Sequence, residues 1–131
     1  MATVSAKIDT RLYRTEITSA SENVIIADEP QEIGGKNLGL NPTELLAASL
    51  ASCTLITLRM YINRKQWDVS EINVKIDFER DSERNVSSFT RKIEVTGEVD
   101  ETQRQRLETI ANSCPIHKVL TNTIEIKTTL I

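Results

Sequence analysis

From Ile72 to Phe78 the chain alternates strictly. Ile72, Val74, Ile76 and Phe78 fall on one side, and Asn73, Lys75 and Asp77 on the other. A period of two predicts a half-buried strand. The segment from Phe89 to Val99 repeats the pattern through Ile93 and Val95. The polar stretch RDSERNVSS between them predicts an antiparallel pair. Elsewhere the pattern changes. From Leu45 to Leu58 the chain is nearly uncharged and apolar on every face, which predicts a long buried helix over about 42–64. Asn41 is placed to cap it, Pro42 suits its first position, and Glu44 falls where a capping box needs an acid. Its basic end, RMYINRK, suits the negative pole of the helix dipole.

The first 27 residues carry strand-like stretches, TRLYRTEIT and NVIIAD, joined by the turn-like ITSASENV. A loop, DEPQEIGGKNLGLNP, holds three of the four glycines. Asp100 with Gln103 predicts a second helix, to about Ser113, and Pro115 a short third one, to about Leu120. TIEIKTTLI predicts a closing strand with Ile124 and Ile126 on one face. Strands, a long helix, two strands, two helices and a strand imply an α+β fold, with antiparallel sheets packed around a central buried helix. A sheet of five or six strands would cover one side of that helix. A second subunit would cover the rest.

The length of 131 residues fits a single domain over 1–131. A net charge of −3 with no basic run, and 4% aromatics, argue against nucleic acid as a partner. MATVSAKIDT has no apolar core of a signal peptide, and the stretch of about 14 residues from Leu45 is too short to span a bilayer. A cytoplasmic, reducing setting is expected, where a disulfide is more often catalytic than structural.

Candidate chemistry centres on two cysteines, Cys53 and Cys114. Cys53 sits among Leu46, Leu50, Ile56 and Leu58, and an apolar site alone leaves a thiol inert. To react it needs a cation. Arg59 points elsewhere, so a strand arginine is expected: Arg14 first, Arg11 second. Cys114 precedes Pro115, at the N-cap of the third helix, where backbone N–H groups favour a thiolate. His117 lies one turn on. Against this stands the plain reading that both cysteines are small buried hydrophobes. One histidine and two distant cysteines do not make a zinc site. The glycine-rich loop lacks a phosphate-binding pattern.

The run GGKNLGLNPTELLAASLASCTLITLRMYINRKQW, with ANSCPIHKVL downstream, resembles the OsmC/Ohr family over nearly the whole chain. The resemblance implies an intertwined homodimer that reduces organic hydroperoxides without metal or organic cofactor. It makes Cys53 the peroxidatic residue and Cys114 the resolving one, recycled through a disulfide by a dithiol such as a lipoyl group. Arg14 would be the activating arginine. The family's glutamate directly after the proline is replaced by Thr43, with Glu44 one position later, a rotation of about 100° on a helix. Glu44 and Cys53 lie roughly 14 Å apart along one helix. The small residues from Ala47 to Ser52 would let two copies pack antiparallel, so that Glu44 of one subunit serves Cys53 of the other. The alternative is a non-catalytic OsmC-like domain that binds an apolar ligand at the dimer interface.

Overall fold

A computed structural model describes all 131 residues as two compact units, Met1–Leu46 and Ala47–Ile131. The fold is α+β with antiparallel sheets. The five strands are not one sheet, as expected above, but two, of three and two strands. The long register of the later hairpin leaves its apolar face to the helices instead.

The first unit holds β1 (Val4–Ile8), β2 (Thr15–Ser19) and β3 (Val24–Ala27), ordered β1-β2-β3. Both pairings are antiparallel, with Ala6 opposite Ile17 and Ile17 opposite Ile25. Ser19 and Asn23 close the turn between β2 and β3 through a backbone bond of 2.9 Å. The glycine loop then packs against the sheet edge. A Cβ at Gly35 would collide with the Glu29 carbonyl, and one at Gly39 with the Ile26 carbonyl. Backbone approaches this close require glycine.

Helix α1 spans Pro42–Lys65. Its start is as expected: Glu44 N–H donates to Asn41 Oδ1 at 2.8 Å, and Asn41 N–H to Glu44 Oε1 at 2.9 Å. Although its uncharged stretch alone is too short for a bilayer, as expected above, the whole 24-residue helix is long and apolar enough to cross one by length and composition. One stripe is nonetheless packed within the chain: Leu50, Thr54, Leu58, Tyr61 and Ile62 are buried. Leu46, Ile56 and Met60 stay exposed on the single chain, the part of the helix that the expectation above assigned to a second subunit.

In the second unit, β4 (Val69–Asp81) pairs with β5 (Val86–Gly97) from Val69 opposite Gly97 to Asp81 opposite Val86. Helix α2 (Glu101–Ala111) starts with a full capping box of Asp100 and Gln103, and α3 is Pro115–Leu120. The core joins Leu58, Tyr61 and Ile62 of α1 to Val69, Leu107 and Ala111, with Trp67, Ile72, Ile93 and Val95 packed around them. Tyr61 and Trp67 meet edge to face at 5.5 Å, and Tyr61 Oη accepts from Arg106 Nε at 3.0 Å. The expected closing strand is absent. Residues 123–131 form no ladder, and Ile124 and Ile126 are exposed. A strand exists only by pairing, and none of the five strands pairs with these residues.

Candidate functional site: two thiols and an arginine bridge

Cys53 and Cys114 are both free thiols. Cys53 is half-buried on α1, beside the packed stripe of Leu50 and Thr54. Cys114 is fully buried. It is the N-cap of α3, as expected, and its Sγ accepts the His117 N–H at 3.3 Å. The arrangement follows from local sequence. Pro115 needs no amide partner at the first helical position, and its fixed φ aligns the turn so that the preceding side chain faces the free amides.

The charged residue that joins the two regions is one that sequence reasoning missed. Arg91 of β5 donates from Nη1 to Thr54 Oγ1 at 3.0 Å. Its Nη2 donates to Asn112 Oδ1 at 2.8 Å and meets His117 Nδ1 at 3.1 Å. A guanidinium only donates, so His117 Nδ1 is the acceptor and the ring carries its proton on Nε2. Thr54 Oγ1 is oriented in turn by donating to the Leu50 carbonyl at 2.7 Å. One side chain therefore ties the residue after Cys53 to both flanks of Cys114. A signal did exist in the pattern. Arg91 occupies the inward position between Phe89 and Ile93, all three half-buried. A cation on an apolar face needs a polar partner.

The expected charged partners are placed as follows. Arg14 lies in the first unit, half-buried and 3.9 Å from Glu16. Arg11 is exposed and grips Asp9 with Nε and Nη2. Arg59 is committed to the Val69 carbonyl at 2.9 Å. Glu44 is exposed and completes the cap with Asn41, to which Thr43 also donates. No group of three or more His, Cys, Asp or Glu side chains is arranged to hold a metal ion.

The first unit has its own cavity of about 440 Å³, lined by Ile8, Tyr13, Ala27, Asp28, Ile33 and Pro42 among others. Asp28 is buried at one wall. Its carboxylate accepts from the N–H groups of Tyr13 at 3.0 Å, Glu29 at 2.8 Å, Lys36 at 3.3 Å and Leu38 at 3.2 Å. Burial pushes this carboxyl up, but the four backbone donors outweigh it and leave the group below the usual carboxylate value.

A family model described as OsmC-like protein matches residues 34–129. Among solved structures, the chain is similar to a candidate osmotic stress induced and detoxification response protein of Psychrobacter arcticus 273-4. The identity is 27%, over 91% of this chain and 88% of that one, with a TM-score of 0.78. It is also similar in fold to an OsmC-like protein of Mycoplasma pneumoniae, at 17% identity over 92% and 87% of the two chains and a TM-score of 0.77. The organic hydroperoxide resistance protein OhrB of Bacillus subtilis shares the fold at 22% identity, over 97% and 95%, with a TM-score of 0.63. A comparison with curated proteins gives no match.

Proposed function

The chain belongs to the family of OsmC-like proteins, and on that premise we propose that it is a cytoplasmic thiol-dependent peroxidase for organic hydroperoxides. In this reading the Cys53 thiolate attacks the terminal oxygen of R–O–O–H. The O–O bond breaks, the leaving alkoxide takes a proton as ROH, and Cys53 becomes a sulfenic acid. The Cys114 sulfur then attacks Cys53 and displaces its hydroxyl, which leaves as water with the Cys114 proton. A disulfide remains. An external dithiol such as a lipoyl group exchanges with it, ends as its own disulfide and restores both thiols. These steps call for no metal or organic cofactor.

The observation that supports this reading is the Arg91 bridge between the surroundings of the two thiols. Both are free, and one guanidinium holds the residue after Cys53 together with both flanks of Cys114. The protein acts as a homodimer in this scheme. Arg14 supplies the activating charge to Cys53, and the partner subunit's Glu44 stands at the same site. Relatives described as organic hydroperoxide resistance proteins share the fold.

The test is turnover of tert-butyl or cumene hydroperoxide with dihydrolipoamide as reductant. The wild type should consume hydroperoxide continuously. Cys53→Ser should abolish consumption, and Cys114→Ser should stop after one turnover with a trappable sulfenic acid. A wild type that consumes none overturns the reading. Continuous turnover by Cys114→Ser removes the resolving role.

A second reading, a non-catalytic domain that holds an apolar ligand at the dimer interface, draws on the mostly apolar cavity of the first unit. It requires hydroperoxide to be ignored and a long-chain apolar probe to bind equally well to Cys53→Ser.

A further inference from the structure

We propose that Arg91 is a positioning residue that sets how readily Cys53 and Cys114 join, rather than how readily Cys53 is oxidised. The proposal rests on the thiol-pair reading above and deepens it. Its basis is the fork of Arg91. Nη1 reaches Thr54, one residue after Cys53. Nη2 reaches Asn112, two residues before Cys114, and His117, three residues after it. The same His117 donates its backbone N–H to Cys114 Sγ. Asn112 ends α2 and Cys114 opens α3, so the guanidinium braces the corner between the two helices from both sides.

The chemistry gives this brace a purpose. Disulfide formation tolerates only a narrow range of Cα separations and Cβ directions. Cys53 is carried by one element and Cys114 by the junction of two others. Neither is joined to the other by short-range chain connectivity. A rigid planar fork with charge-assisted bonds fixes relative position better than apolar packing, which permits sliding. Thr54 is fully buried, and its hydroxyl has both a donor role, to Leu50, and an acceptor role, from Arg91. The brace is thus anchored at a point that itself cannot swing. Arg91 touches neither sulfur through any hydrogen bond and so acts through Thr54, Asn112 and His117.

Lysine at this position keeps the charge but offers one point contact in place of a fork. The decisive measurement is the equilibrium constant for the Cys53–Cys114 disulfide against a dithiothreitol redox buffer, which uses no peroxide. Relative to wild type, Arg91→Lys should lower that constant about tenfold or more, the factor that one charge-assisted hydrogen bond is worth. Asn112→Ala, at an exposed helix end, should lower it by less and keep the fold if Arg91→Lys does not. Stopped-flow oxidation of Cys53 by cumene hydroperoxide should stay within about threefold of wild type in both, as expected where one thiol alone reacts. A wild-type equilibrium constant in both variants overturns the proposal. So does an equal loss in the first oxidation, which would place Arg91 in direct service of the Cys53 thiolate. If the wild type ignores hydroperoxide yet forms the disulfide in an Arg91-dependent way, the peroxidase reading fails and the brace stands.

Discussion

Asp28 shows how much one side chain can organise. Four backbone N–H groups from four separate positions converge on its carboxylate. The group titrates lower folded than unfolded, because those donors outweigh the opposing effect of burial. The sign follows. Its contribution is complete above the unfolded carboxylate value of about 3.9 and is lost as the pH falls through the folded value. Asp28→Asn should therefore lower the urea midpoint at neutral pH, and the gap to wild type should close once the pH drops below the carboxylate range. Urea melts at both conditions check this. Asp9 is the contrast. Arg11 holds its carboxyl down to about 2, chiefly by a side-chain hydrogen bond, yet both groups are exposed. Solvent screens such a pair, so Asp9→Asn should leave the midpoint unchanged. At this scale the sequence reveals caps and hides bridges. Asn41 with Glu44, Asp100 with Gln103, and Cys114 before Pro115 were all legible, since each contact lies within a few residues. Arg91 was not, because Thr54 is 37 residues away, His117 26 and Asn112 21. Only its inward place on β5 gave a hint.

Elements were legible where pattern and local chemistry agree. The strict alternation of β4 and β5 produced a paired hairpin, and α1 began and ended close to the expected positions. β1 was missed although VSAKI alternates Val4, Ala6 and Ile8 with Ser5 and Lys7: the run is only five residues long, and all five are exposed. The closing strand failed for the opposite reason: its pattern is clear, but pairing is a property of two segments. Capping also separates two roles of Glu44. Glutamine can close a capping box as glutamate does. Glu44→Gln should keep the thermal stability of the wild type, while a carboxylate serving the partner's Cys53 would be lost and hydroperoxide turnover would fall at least about tenfold, in line with one charge-assisted contact. Equal turnover would leave Glu44 only its capping role. Asp100→Ala, which removes the box of α2, should cost about 1 kcal/mol in urea melts.

For the whole molecule, the open side of α1 is the informative surface. Cys53, Ile56 and Met60 follow one another at spacings of three and four, so they share a stripe on the helix. Ile56 is 55% exposed and Met60 68%, while the neighbouring stripe of Leu50, Thr54 and Leu58 is buried. The chain alone leaves this stripe in water, and each such side chain contributes about 1.5–3 kcal/mol once covered. Association through it should give a dimer of twice the 14.7 kDa chain mass. In a two-fold dimer each substitution counts twice. Ile56→Glu should thus weaken the dimer by about a hundredfold or more, read by light scattering across a dilution series. The same variant carries a chemical readout. In such a dimer Cys53 would lie on the covered stripe, whereas Cys114 is already fully buried within one chain. A bulky thiol reagent should therefore modify Cys53 faster in Ile56→Glu than in wild type, with Cys114 remaining slow in both. If the variant is monomeric and Cys53 reacts at the wild-type rate, the partner does not cover Cys53, and the helix stripe serves association alone.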